Sequence, residues 1–267
     1  MHTDPQPIGI FDSGIGGLSL FKEIRALLPY EHLLYIADSA HIPYGNKSTD
    51  YIQQRALTLV DFLLQQQVKA VVVACNTATV SAITLLRQRY TLPIIGMEPA
   101  IKPAALMTRS GVVGVLATEG TLISQQFITL MTRFAHHVTV VSQPCHGLVE
   151  QVERGEIATQ KTRALLERYI APLLAAGADT IVLGCTHYPF LRPLIEELVG
   201  PERSIIDTGQ AVAREVERRL AEISALITTP RLGQDHFCTS GDVVQAQAVI
   251  AQLYAPRVSV ERLREPT

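Results

Sequence analysis

Short apolar runs alternate with longer amphipathic stretches along most of this chain. The runs, rich in Val, Ile and Leu, cover residues 8–12, 32–38, 69–75, 92–97, 111–117, 137–143, 179–185 and 203–209, with a weaker pair at 235–241 and 257–263. Helical segments separate them, the clearest from Thr49 to Gln67, where apolar side chains recur every three or four residues. Near-continuous apolar strands separated by helices predict largely parallel sheets with helices on both faces, an α/β fold.

Small polar, acidic or thiol residues follow most of these runs. The segments are Asp12-Ser13-Gly14, Asp38-Ser39, Cys75-Asn76-Thr77, Glu98-Pro99, Thr118-Glu119-Gly120-Thr121, Cys185-Thr186-His187 and Asp207-Thr208-Gly209. In open α/β sheets, ligands bind beyond the carboxyl ends of the strands, near helix N-termini. The series therefore predicts a ligand site that is assembled from these strand ends.

The composition narrows the class of protein. The chain has 267 residues, of which 47% are hydrophobic, and a formal net charge of −2. It can bury a substantial core in one large or two small domains, and its near-neutral charge argues against nucleic acid as the primary ligand. The apolar runs are shorter than the roughly 20 residues of a membrane span, and the first residues lack a signal-peptide pattern. We expect a cytoplasmic protein with no membrane partner.

The cysteines suggest chemistry through their context. Four cysteines at positions 75, 145, 185 and 238 form no CxxC pair, which argues against a disulfide framework or a zinc site. Cys75, in AVVVACNTAT, and Cys185, in TIVLGCTHYP, each follow an apolar strand and precede a helix. Helix N-termini lower the pKa of a thiol and favour the thiolate. Each cysteine could instead simply pack where strand meets helix, but the matching contexts, with His187 close to the second, favour a reactive pair.

Six segments resemble those of the glutamate racemases and follow one another in the expected order between Ile8 and Gly209. They are IGIFDSGIGGLSL, DSAHIPYGNKS, ACNTAT, GMEPAIKPA, LGCTHYPFL and IDTG. The resemblance implies an isomerase, free of cofactor and metal, that interconverts L- and D-glutamate and supplies D-glutamate for peptidoglycan.

The resemblance also implies a domain organisation. Two similar α/β subdomains would be related by a pseudo-twofold axis, with the active site in the cleft between them. Residues 1–97 and 208–267 would form the first domain, and residues 98–207 a second domain inserted in the first. Homodimers are common among such enzymes, so the resemblance allows a homodimer.

The resemblance assigns catalytic roles to five residues. Cys75 and Cys185 would face opposite sides of the α-carbon, Cys75 taking the proton from D-glutamate and Cys185 from L-glutamate. His187 would assist Cys185. Asp12 would bind the substrate ammonium or manage the Cys75 proton, although it could also cap the following helix. Glu150 would be the acidic residue near the second cysteine, or alternatively a solvated glutamate on a helix face.

Neutral donors are predicted to bind the carboxylates of the substrate. The expected binding residues are Asp12, Ser13, Tyr44, Gly45, Asn76, Thr77, Thr118, Thr121, Thr186 and His187. The strand-end segments contain no arginine, the usual bidentate partner of a carboxylate. Neutral donors suit carbanion chemistry only where water is excluded, so we expect a closed, dry cleft.

Two alternatives remain at the level of sequence. A racemase of the same superfamily that acts on aspartate would share the two-thiol frame and differ in its carboxylate-binding residues. A protein of another class could use Cys75 and Cys185 as a redox dithiol or as metal ligands, although no ligand spacing supports a metal.

Overall fold

Two parallel sheets organise the computed structural model of this protein, which describes residues 5–265. The strands are β1 Ile8–Asp12, β2 Leu33–Ala37, β3 Ala70–Val73, β4 Ile94–Gly96, β5 Val112–Ala117, β6 Thr139–Pro144, β7 Thr180–Gly184, β8 Ser204–Ile206, β9 Asp235–Thr239 and β10 Val260–Arg262. The first sheet has the order β10-β9-β2-β1-β3-β4 and the second the order β6-β5-β7-β8. Each neighbouring pair within these sheets is parallel, which confirms the predicted α/β class.

Helices connect the strands and cover the sheets. They are α1 Leu18–Leu27, α2 Thr49–Gln65, α3 Asn76–Arg89, α4 Ile101–Met107, α5 Glu119–Leu122, α6 Gln125–Phe134, α7 Leu148–Glu153, α8 Gln160–Ala175, α9 Arg192–Val199, α10 Gly209–Glu222 and α11 Val243–Leu253. Short 3-10 turns cover Ser39–His41, Tyr44–Asn46 and Tyr188–Leu191. Within residues 5–265, no helix is long and apolar enough to cross a membrane.

Strands β1, β2 and β3 of the first sheet are buried on both faces because they are apolar at successive positions. Ile10 of β1 packs in a cluster with Phe21 of α1, whereas the adjacent Phe11 packs with residues of α2 and α3 on the opposite face. The cluster around Ile10 continues to Leu183 and Tyr188, next to the second sheet. Shared apolar burial therefore fixes the two sheets against each other.

Strand register brings the chemically interesting ends together. In the first sheet β1 lies between β2 and β3, and Asp12 is level with Ala37, so the segments after these strands leave from one edge. In the second sheet Ala117 is level with Gly184, which sets Thr118 beside Cys185.

Candidate active site

One small cavity collects side chains from both sheets. Its walls are formed by Ser13, Pro43, Tyr44, Gly45, Cys75, Asn76, Thr77, Thr118, Val149, Cys185, Thr186 and His187. The expected binding residues all line it except Asp12 and Thr121. Its free volume is ≈ 10 Å³, about the room of one water molecule. A larger cavity of ≈ 820 Å³ lies beside β9 and β10, but it contains neither Cys75 nor Cys185.

Cys75 sits at the start of α3, where its Sγ atom accepts a hydrogen bond from the Ala78 N–H at 3.4 Å and donates to Ser13 Oγ at 3.7 Å. Cys75 does lie at a helix N-terminus, as expected, and the Ala78 N–H favours a lower thiol pKa, but two stronger effects oppose it. Burial, followed by the charge of Asp12, raises the pKa of Cys75 well above its ordinary value. The expectation of a lowered pKa was wrong for this thiol, because the side chain is only 5% exposed.

Cys185 follows β7 and is linked through His187 to a carboxylate. The Cys185 Sγ atom lies 3.7 Å from His187 Nδ1, and His187 Nε2 lies 2.7 Å from Glu153 Oε1. Burial alone would lower the pKa of His187, but the hydrogen bonds and charges of Cys185 and Glu153 outweigh it and raise that pKa well above its ordinary value. Thiol, imidazole and carboxylate thus form one chain of contacts.

Glu153, not Glu150, is the carboxylate at this end of the site. Both residues lie in α7, where Glu150 is half-buried and Glu153 ends the helix. Among the described residues, the Glu150 carboxylate has no hydrogen-bond partner, whereas Glu153 bonds His187 and also accepts the Ile15 N–H at 2.7 Å. We expected Glu150 near the second cysteine, but the carboxylate that bonds His187, the neighbour of Cys185, belongs to Glu153. A signal was present in the sequence as a second glutamate one helical turn further on, but periodicity does not distinguish the two.

Asp12 lies fully buried behind the cavity. Its Oδ2 atom accepts the Gly17 N–H at 2.7 Å, just before α1, and the Thr186 hydroxyl lies 3.5 Å from both carboxylate oxygens. Burial raises the pKa of Asp12 to about 6, against the opposing effect of His187. Asp12 is not the N-cap of α1, which is Gly17, although its carboxylate accepts the Gly17 N–H. Thr186 connects the same carboxylate to the segment that carries Cys185.

Hydroxyl groups join the two sides of the cavity. Thr77 Oγ1, in α3, lies 2.9 Å from Thr118 Oγ1 and 3.2 Å from Thr121 Oγ1, which belong to the segment after β5. Thr121 therefore supports the wall without lining it. The neighbouring Asn76 is buried, and neither polar atom of its amide has a hydrogen-bond partner among residues 5–265. An unsatisfied buried amide next to a cavity is a ready donor and acceptor for a bound molecule.

The turn that carries Tyr44 and Gly45 presses against the second sheet's side of the cavity. A Cβ atom added to Gly120 would lie 2.9 Å from the Gly45 carbonyl oxygen, and one added to Gly45 would lie 2.9 Å from Thr118 Cβ. Glycine at both positions therefore permits this backbone approach. Gly16 has a similar role, because its added Cβ would lie 2.3 Å from His187 Nδ1.

Two observations describe the charged side chains at the cavity and near it. Within the described chain, no Lys or Arg side chain lines the cavity. Asp38, His41 and Glu265 lie close enough together to hold a metal ion, but the Arg55 guanidinium already bonds both carboxylates. A bound cation there would face that positive charge.

Both a protein-family pattern and the sequence of a known protein match this chain over most of its length. The pattern of the Asp/Glu/Hydantoin racemase family matches residues 8–216. The glutamate racemase of Ectopseudomonas mendocina (strain ymp) is 54% identical over 261 residues, which cover 97% of this chain and 99% of that protein.

Solved structures share the whole fold. A glutamate racemase from Francisella tularensis, in complex with D-glutamate, has a TM-score of 0.84 and 28% identity, covering 98% of each chain. The Escherichia coli glutamate racemase, in complex with L-glutamate and an activator, has a TM-score of 0.85 and 31% identity, covering 98% of this chain and 100% of that one.

Proposed function

This chain belongs to the Asp/Glu/Hydantoin racemase family, and we propose that it interconverts L- and D-glutamate by proton transfer between Cys75 and Cys185 across the α-carbon. One observation carries the proposal: the two thiols line the same small cavity, each from a different sheet. The identity of 54% with a glutamate racemase over nearly the whole chain supports glutamate, rather than aspartate, as the substrate.

The reaction needs one base and one acid on opposite faces of the substrate. A thiolate on one side removes the α-proton and becomes a thiol, while the thiol on the other side donates its proton to the carbanion and becomes a thiolate. When the product leaves, the former thiolate is a thiol and the former thiol is a thiolate. The next turnover in the same direction therefore requires proton exchange between the thiols and solvent or neighbouring groups.

The two thiols have different charged neighbours. Burial and Asp12 favour the protonated form of Cys75, whereas the raised pKa of His187 favours an imidazolium next to Cys185. An imidazolium stabilises a neighbouring thiolate. His187 is therefore placed to assist Cys185 in proton transfer.

Neutral groups hold the substrate in this proposal. The free amide of Asn76, the hydroxyls of Ser13, Thr77, Thr118 and Thr186, and the N-terminus of α3 bind the carboxylates. The buried Asp12 carboxylate is the anionic partner for the ammonium group or for the Cys75 proton. No Lys or Arg among residues 5–265 lines the cavity, and its small volume excludes water, which strengthens these dipolar contacts.

The wider setting follows from the same activity. D-glutamate is an ingredient of peptidoglycan, so the enzyme would supply cell-wall synthesis. The four cysteines are free and buried, which suits a reducing cytoplasm.

Strands of residues 8–96 and 235–262 share one sheet, and strands of residues 112–206 the other, which supports the inserted second domain with boundaries near 97/98 and 207/208. A homodimer stays a prediction, for which sedimentation velocity is the measurement.

Solvent-deuterium incorporation tests the two-thiol reaction. Cys75→Ser and Cys185→Ser should each reduce racemisation of both glutamate enantiomers in D₂O by about 10²-fold or more, because serine is a far weaker acid than cysteine. Cys238→Ser is the control, since Cys238 lies by the larger cavity, and it should retain activity. Full activity in either of the first two variants would overturn the proposal. The same assay with L- and D-aspartate tests substrate choice.

A further inference from the structure

A buried charged network lies directly behind the turn that closes the cavity. The Tyr44 hydroxyl donates to Asp38 Oδ2 at 2.5 Å. The Arg55 guanidinium holds both oxygens of Asp38, with Nη2 at 2.7 Å from Oδ1 and Nε at 3.1 Å from Oδ2. Asp38 and Tyr44 are buried, and Arg55 is 9% exposed. Such bidentate, charge-assisted bonds have a fixed geometry.

The network continues to the far end of the chain. Arg55 also contacts both carboxylate oxygens of Glu265, at 2.7 and 3.1 Å. Arg55 lies within α2, Asp38 follows β2, and Glu265 follows β10, so the guanidinium joins three separated segments. None of Arg55, Asp38 or Glu265 lines the cavity, whereas Tyr44, which is bonded to Asp38, does.

The chemistry of the network suits permanent positioning rather than proton transfer. Burial and the neighbouring Asp38 carboxylate raise the pKa of Tyr44 well above its ordinary value, so the phenol remains a donor at neutral pH. A guanidinium stays charged throughout the same range. Both donors of the network therefore keep their protons at neutral pH.

We propose that Arg55 and Asp38 are positioning residues that fix the Pro43-Tyr44-Gly45 turn, through the Tyr44 hydroxyl, in the place where the substrate binds. The turn supplies part of the cavity wall and contacts the segment at Thr118 and Gly120 from the other side. It carries neither thiol, so its displacement weakens substrate binding and leaves the proton-transfer groups in place.

Steady-state kinetics with both enantiomers test this inference, whose kinetic part rests on the proposed racemase function. Arg55→Lys keeps the charge but loses the planar fork, and Tyr44→Phe removes one oxygen. Each should raise KM for L- and D-glutamate about tenfold while kcat changes less than about twofold. Arg218→Lys is the matched control, because Arg218 also bonds two carboxylates, Glu215 and Glu222, but on the exposed surface of α10; it should leave both constants unchanged.

A double variant separates positioning from general damage. If both residues act through one network, Tyr44→Phe in the Arg55→Lys background should raise KM little further, since the hydrogen bonds that position the turn are already disrupted. Additive increases in KM, an unchanged KM in Arg55→Lys, or a fall in kcat alone would each overturn the inference. Tyr44→Phe keeps the test available should Arg55→Lys fail to fold.

Hydrogen exchange gives a readout that does not depend on the reaction. In the substrate-free protein, amides of residues 44–47 should exchange faster in Arg55→Lys and in Tyr44→Phe than in the parent, while amides of β5 stay unchanged. Unchanged exchange in the turn would contradict the positioning role even if the protein racemised glutamate. Faster exchange in a protein that did not racemise glutamate would overturn the proposed function and leave the network standing.

Discussion

The Glu153 carboxylate accepts a hydrogen bond from His187 at 2.7 Å and, through the same Oε1 atom, a second one from the backbone N–H of Ile15 at 2.7 Å. Ile15 follows β1 of the first sheet, whereas His187 follows β7 of the second. Glu153 therefore orients the imidazole against Cys185 and at the same time joins the two sides of the active site. The imidazole of His187 is thus fixed between Glu153 and Cys185, where it can assist proton transfer by the thiol.

Glu153→Gln should lower kcat/KM for glutamate by about 10- to 100-fold, less than the loss of a direct acid or base, because Glu153 acts through His187. The decrease must be equal in both directions, since racemisation has an equilibrium constant of one. Kinetic assays starting from each enantiomer measure it. Glu150→Gln separates the two glutamates of α7, and a comparable loss in that variant would contradict the role assigned to Glu153.

Asp12→Asn should remove a pH dependence of stability. Because the folded-state pKa of about 6 is higher than the ordinary value of 3.8, the folded protein binds the proton more tightly than the unfolded chain. This contribution to stability is complete below the ordinary pKa and is lost as the pH rises through about 6, a change of roughly 3 kcal/mol. Urea unfolding between pH 4 and pH 7 should show the decline in the parent protein and not in the variant. Identical pH profiles would refute the assignment.

Gly120→Ala should impair closure of the cavity. The new methyl group would meet the Gly45 carbonyl oxygen at 2.9 Å, and a backbone oxygen cannot turn aside as a flexible side chain can. We expect KM for glutamate to rise about tenfold, with little change in the temperature of unfolding, because the strain is relieved by separating the two walls. Kinetics and calorimetry on one preparation check both parts. An unchanged KM would show that the close approach is not needed for binding.

Lys69→Met tests a buried ion pair that is remote from the thiols. Lys69 Nζ lies 2.6 Å from Glu31 Oε2 and donates to the Ala225 carbonyl at 2.7 Å, and both charged side chains are only 2% exposed. Removal of the ammonium leaves Glu31 charged and buried, which should cost about 3–5 kcal/mol of unfolding free energy.

Arg218→Met is the comparison for that measurement, since it deletes exposed ion pairs and should cost less than about 1 kcal/mol. Equilibrium urea unfolding measures both variants. Equal losses would mean that burial does not set the energetic importance of the Lys69 pair.

Much of the site could be predicted because parallel strands end at a common edge. Cys75, Asn76, Cys185 and His187 all follow apolar strands, and the fold brings them to one cavity without any long-range information beyond strand order. The match to glutamate racemases extends that argument to the substrate.

The remaining features depend on packing that no local pattern records. Glu150 and Glu153 are one helical turn apart, and only the direction of α7 relative to His187 decides between them. The pKa of Cys75 depends on how completely the cavity closes. Arg55 looks like an ordinary helix residue in sequence, because its partners Asp38 and Glu265 lie 17 and 210 positions away.

The free space between the two thiols is ≈ 10 Å³, while glutamate contains ten non-hydrogen atoms. We therefore expect the walls to part for entry and release, so that an open form exchanges the substrate and the closed form shields the carbanion. When parting is slower than proton transfer, solvent viscosity governs turnover. A compound that holds the Gly45 turn away from Gly120 would then inhibit the enzyme without touching either cysteine.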